Sequence, residues 1–225
     1  MTRTDRVDAW PFWLYAAVSA VHVGAMAVGA EPLVYPTKLL LMPALAFAAM
    51  WALRGTRRVV PTCLLVGALF FSWLGDGASF FFPFFDDELP MMLACFGIAH
   101  LLYMWLFARH IRVHRIPPWT IVYAAWWVVT LLFLWPHLGA LGVAVAVYGL
   151  VLGGTAALST RGGAVTAVGG AFFLASDTIL AMRLFLPPEM SAPLAGVWVM
   201  VTYTIGQGLL VFGAVRVMRR REWMP

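Results

Sequence analysis

Eight runs of about 20 predominantly apolar residues follow one another along this 225-residue chain. They cover approximately 11–30, 35–53, 59–82, 90–109, 118–135, 139–158, 163–186 and 195–217. A helix of that length crosses the hydrocarbon core of a bilayer. The runs are apolar on all sides, whereas membrane-spanning strands would alternate in polarity over stretches of about 10 residues. The pattern predicts an all-α, polytopic helical bundle forming one membrane domain over residues 1–225. Charged residues make up 11% of the chain, well below the roughly 25% of a soluble domain.

The breaks between runs are chemically marked. Pro32 and Pro36 flank the first, Arg54 to Arg58 the second, and Pro83 to Pro90 the third. Arg109 to Pro118, Pro136-His137, Arg161-Gly162-Gly163 and Pro187 to Pro193 mark the rest. Arg3 and Arg6 precede a first run ending in Val28-Gly29-Ala30, which imitates a signal-peptide cleavage site. At about 20 residues this run exceeds the usual apolar core of such a peptide, so a retained first helix is expected.

The connections alternate in sign. Arg3 and Arg6, then Arg54, Arg57 and Arg58, then Arg109, Arg112 and Arg115, then Arg161, and finally Arg216, Arg219, Arg220 and Arg221 hold 13 of the 15 basic residues. The other connections carry Glu31, Asp86, Asp87, Glu88 and Glu189, without Lys or Arg. The positive-inside rule therefore predicts both termini in the cytoplasm and residues 83–89 outside, with a bacterial inner membrane as the expected location. Placed between apolar runs, the net charge of +5 points to membrane topology and not to nucleic acid. Cys63 and Cys95 fall near opposite faces, which argues against a disulfide.

Four charges remain inside the runs: Lys38, Asp76, Asp177 and Arg183. Intramembrane ionisable groups are costly, so they face a bundle interior and mark function. At 1.5 Å per residue, Lys38 and Arg183 lie roughly 5 Å below the outer boundary, and Asp76 and Asp177 roughly 10 and 14 Å below it. His100 and Tyr203 come out at roughly 12–15 Å. Cations above carboxylates suit an amphiphile with an anionic head and a reactive bond just beneath. Snorkelling accounts equally for Lys38 and Arg183. Packing accounts equally for His22, His100, Tyr103 and Tyr203, and interhelical hydrogen bonding for Gln207.

The aspartates share a setting. "ALFFSWLGD" ends at Asp76 and "GAFFLASD" at Asp177, and a tyrosine follows each 26 or 27 residues later, at Tyr103 and Tyr203. This resembles a degenerate parallel repeat of four helices that would bring the carboxylates together. No His-x-x-x-His or Glu-x-x-His spacing lies within a run, so no metal and no cofactor is expected. No Gly-x-Ser-x-Gly elbow or Cys-His pair marks a covalent nucleophile. "GLVLGG" and "RGGAVTAVGG" lack a P-loop Lys-Ser/Thr and read as close helix packing.

At these residues the chain resembles the YhhN-like lysoplasmalogenase family. "TKLLLMPAL", "ALFFSWLGD", "FGIAHLLY", "GGAFFLASDTILA" and "TYTIGQGLL" follow the family's motifs in order, from residue 37 to 210. The resemblance implies an eight-helix integral membrane hydrolase that cleaves the vinyl ether of lysoplasmalogens to a fatty aldehyde and a glycerophospho-headgroup. Its matching polar positions are Lys38, Asp76, His100, Tyr103, Asp177, Tyr203 and Gln207. The expected partners are a lysolipid substrate and the bilayer, and the sequence leaves the oligomeric state open.

That chemistry fits the residues. A vinyl ether is hydrolysed by protonating its β-carbon, adding water to the α-carbon of the oxocarbenium ion, and collapse of the hemiacetal. One carboxyl must be protonated and another ionised. Two carboxyls sharing a low-dielectric site do not ionise together, which supplies both states near neutral pH. Asp76 and Asp177 are the expected acid–base pair, His100 and the tyrosines could orient water, Lys38 or Arg183 could hold the phosphate, and Tyr103, Tyr203 and Gln207 complete the expected substrate-binding set. The alternative is a proton-coupled carrier using the same carboxylates. An enzyme needs a blind cavity open on one side, whereas a carrier needs a path to both.

Overall fold

The computed structural model describes residues 9–192 and 195–222. Arg3, Arg6 and Pro193 lie outside the described residues, as does the side chain of Arg221. The described residues are predominantly helical, with no strand among them. The order is α1 (Trp10–Ala27), α2 (Glu31–Ala52), α3 (Val59–Asp76), a single turn α4 (Ala78–Phe81) and α5 (Leu89–Trp105). Then come α6 (Ile121–Leu134), α7 (Gly142–Ser159), α8 (Ala164–Phe185), a turn α9 (Pro188–Ser191) and α10 (Gly196–Glu222). Among the described residues, seven helices are long and apolar enough to cross a membrane. The remaining rod, α1, equals α3 in length at 18 residues and packs between α2 and α10. The protein is an integral, multi-pass membrane protein.

Several boundaries differ from those expected. The helix predicted to start at 35 begins at Glu31. Pro32 sits in its first turn, where no backbone donor is needed. Pro36 and Pro43 lie inside the helix. Pro43 withholds the N–H that would satisfy the Leu39 carbonyl, and Trp73 of α3 donates its indole N–H to that oxygen at 3.0 Å. No water in hydrocarbon can perform that service, so a neighbouring helix must. The third run, predicted to reach 82, breaks after Asp76. Gly77 follows, and a Cβ there would stand 2.7 Å from both Leu39 and Phe81 side chains. The first helix ends at Ala27 because Gly29 turns the chain at φ 69.

Seven helices form a ring in the order α1, α2, α3, α5, α7, α8, α10, and α10 closes back on α1. Helix α6 stands outside it, against α7 and the edge of α8. Only 11% of α6's apolar window is buried, against 28–56% for the six other spans. The tightest pair is α8 with α10, where glycines let backbones touch. A Cβ on Gly169 would lie 2.6 Å from the Leu210 amide nitrogen, and one on Gly206 would lie 2.7 Å from that of Phe173.

The alternating helices give the bundle a basic end, carrying Arg54, Arg109, Arg161 and Arg219, and an acidic end, carrying Glu31, Asp86 to Glu88 and Glu189. The interior has a filled layer, with Leu45, Leu65, Leu106, Phe107, Leu210 and Val211 all fully buried, and a separate cleft of about 410 Å³ lies at the basic end beside His114, Gly162 and Arg216. Cys63 is exposed, Cys95 is buried, and both are free thiols. If the loop charges set the orientation, a cysteine placed at Asp87 reacts with an impermeant maleimide added outside intact cells. Labelling from the cytoplasmic side alone would reverse the bundle.

Candidate functional site

Toward the acidic end the ring opens around a cavity of about 400 Å³. Asp76 reaches it from the last residue of α3, where the break at Gly77 turns the chain aside. Asp177 reaches it from α8, and Tyr203 from α10. Lys38 from the first half of α2, with Glu88 and Arg183 at exposed positions, also lines it. The two aspartates therefore face one chamber, with two cations, Lys38 and Arg183, and one anion, Glu88, also on its lining.

Each carboxylate has a phenol of its own. The Tyr203 hydroxyl donates to Asp76 Oδ2 at 2.7 Å, and the Tyr148 hydroxyl of α7 donates to Asp177 Oδ2. Asp76 is 7% exposed, and the Asp177 side chain is 9% exposed. Ser176, next to Asp177, donates to the Val199 carbonyl of α10 at 3.0 Å. That bond holds α8 and α10 in register, so Asp177 and Tyr203 enter the chamber together.

His100 lies behind Asp177 instead of in the chamber. Its Nε2 is 3.7 Å from Asp177 Oδ2, and the ring is fully buried between Phe173 and Tyr148. Neither ring nitrogen has a hydrogen-bond partner among the described residues. His100 meets the chamber only through Asp177. Tyr103 and Gln207 are also fully buried and outside the chamber lining. The Tyr103 hydroxyl donates to Gln207 Oε1 at 2.7 Å, and Gln207 Nε2 donates to Ser72 Oγ at 3.1 Å. This chain of bonds ties α5, α10 and α3 together beside the chamber.

The tyrosines do not follow the repeat that the sequence resembles. Tyr203 serves the aspartate of the first half, while Tyr103 serves neither. Tyr148 was not singled out, although it is the one phenol in the sixth apolar run. His22 is fully buried at the chamber wall, with Nδ1 2.9 Å from Thr37 Oγ1 and Nε2 without a hydrogen-bond partner among the described residues. No group of three or more His, Cys, Asp or Glu among the described residues is placed to hold a metal.

Fold and cavity together define a polytopic helical membrane protein with paired carboxylates in an intramembrane polar chamber. The chain belongs to the YhhN family, whose family model matches residues 33–214, most of the chain. That family includes lysoplasmalogenases. No curated protein and no solved structure matches the chain.

Proposed function

We propose that the protein hydrolyses the vinyl ether bond of lysoplasmalogen-type lipids, releasing a fatty aldehyde and a glycerophospho-headgroup. One observation carries this reading: Asp76 and Asp177 line the same chamber, each held by a separate phenol, with Lys38 and Arg183 also on its lining. The chamber has room for water and a polar headgroup. One carboxylic acid protonates the β-carbon of the vinyl ether. The resulting oxocarbenium ion is stabilised by the other, ionised carboxylate, which also takes a proton from the attacking water. The hemiacetal then collapses, its hydroxyl proton lost and the glycerol oxygen protonated, so the acid is restored.

The solid packing below the chamber favours this reading over a carrier. A carrier's path would have to run through Leu65, Leu106, Phe107 and Leu210, all fully buried. The test uses purified, monodisperse protein and a chain-matched panel of alkenyl-, alkyl- and acyl-lysophospholipids. Aldehyde should appear from the alkenyl lipid alone. A full alkenyl headgroup series giving no aldehyde would remove the reaction.

A further inference from the structure

Beside the polar chamber lies a second, apolar space that the reaction as described leaves unused. It is a slot bounded by α5, α6, α7 and α8, faced by Leu93, Trp127, Leu131, Gly149 and Leu184 among others. It is narrow as it stands, with about 60 Å³ of free space against about 400 Å³ in the chamber, so a chain enters it only as its outer wall, the sparsely packed α6, gives way. Met92, Phe96, Asp177 and Leu180 line both spaces, so slot and chamber meet at Asp177. Tyr148, which holds Asp177, lines the slot too.

Resting on the lysoplasmalogenase reading, we infer that this slot holds the single hydrocarbon chain of the substrate, laid against α6, while the headgroup sits in the polar chamber. Three observations lead there. The slot walls are almost wholly hydrocarbon and indole, which accept an alkyl chain and reject a hydrated head. The wall facing the bilayer is α6, which stands outside the helix ring, so the slot lies at the lipid boundary of the bundle. A vinyl ether is the junction of head and chain in such a lipid, and Asp177 is the acidic residue at the junction of chamber and slot.

The occupant is one chain and not two. Trp127 is fastened to α7 by its indole N–H, which donates to the Ala146 carbonyl at 2.9 Å. A Cβ added to Gly149 would stand 3.0 Å from that same indole, so the wall is already close. Transfer of a chain from bilayer to slot exchanges one hydrocarbon surface for another, so affinity depends on fit rather than on burial from water.

The test reads occupancy separately from turnover. The probe is a 1-O-alkyl lysophospholipid, whose saturated ether is not a vinyl ether, carrying a diazirine midway along its chain. Adducts are mapped by mass spectrometry, and only those displaced by excess unlabelled alkyl lysolipid are counted. Competable adducts should fall on slot residues of α6 and α8. Ala181, one turn beyond Asp177 on α8, lines the slot. Ala181→Phe should lower competable labelling about tenfold or more by overfilling it. Leu131→Ala widens the slot and should admit a chain with a methyl branch that the wild type excludes. Competable adducts confined to α1, α2 or the bilayer-facing side of α10, or none at all, would overturn the inference even with aldehyde released. Slot adducts without aldehyde from any alkenyl lipid would leave the slot standing and remove the reaction.

Discussion

Asp76→Asn and Asp177→Asn should each lower aldehyde release by a factor of about a thousand or more, and the double variant should be little worse than either single. The substitution keeps volume while removing the ionisable group, and the phenols of Tyr203 and Tyr148 can still donate to an amide oxygen. General acid–base catalysis by one group contributes roughly 10²–10⁴, which sets the size of the loss. Groups acting as one unit are strongly non-additive, because losing either disables both. The measurement is aldehyde release by wild type, both singles and the double, on protein shown monodisperse in detergent. The pH profile of the wild type should be bell-shaped and belong to the pair. Near-wild-type turnover in either single variant would take that residue out of the chemistry.

Gly206→Val should cost the bundle its fold before it costs any chemistry. A Cβ there would lie 2.7 Å from the Phe173 amide nitrogen and 3.1 Å from the Gly169 carbonyl oxygen. Backbone atoms cannot rotate away as a side-chain tip can, so α8 and α10 must part. Overpacking of a closed core costs about 1–3 kcal/mol, and the branched side chain places this case at or above the upper end. The separated helices would also break the Ser176–Val199 bond and draw Tyr203 away from Asp76. The check is thermal unfolding in detergent beside Gly97→Ala, whose added Cβ meets nothing within 4 Å. Gly206→Val should melt lower by many degrees or fail to purify as a monodisperse species, while Gly97→Ala should stay close to wild type. A Gly206→Val protein as stable as wild type would contradict the close approach of α8 and α10.

What the sequence made legible was position along the membrane normal. Apolar runs, proline and arginine breaks and a fixed rise per residue put Lys38, Asp76, Asp177 and Tyr203 at neighbouring depths, and the structure lines one cavity with all four. Rotation about each helix axis was not legible. In water an inward face announces itself by hydrophobic periodicity, but in lipid both faces are apolar and the signal disappears. His100 therefore looks equivalent to Tyr203 from its depth, although it lies behind Asp177, and nothing in the sequence shows that Tyr103 and Gln207 face the packed interior. Tyr148 was hidden for the same reason. It is a single phenol in a run of Val, Ala, Gly and Leu, and nothing in that run says which way it points. The end of α3 at Asp76 was equally silent, since the chain stays apolar through Phe82 and only the crowding at Gly77 marks the break. The exclusion of α6 from the ring depends on which neighbours win the contacts, a property of the whole set of helices and of no one run.

If the proposed cleavage takes place, the meeting of chamber and slot at Asp177 also sets where the pieces of the severed amphiphile would go, as follows. The water-loving fragment is left in a polar bay with a solid floor and departs toward the acidic end. The oily fragment is left beside α6, on the bilayer side. Parted by different doors, the two fragments do not meet again at the carboxylates, and reversal of the cleavage is discouraged by traffic alone.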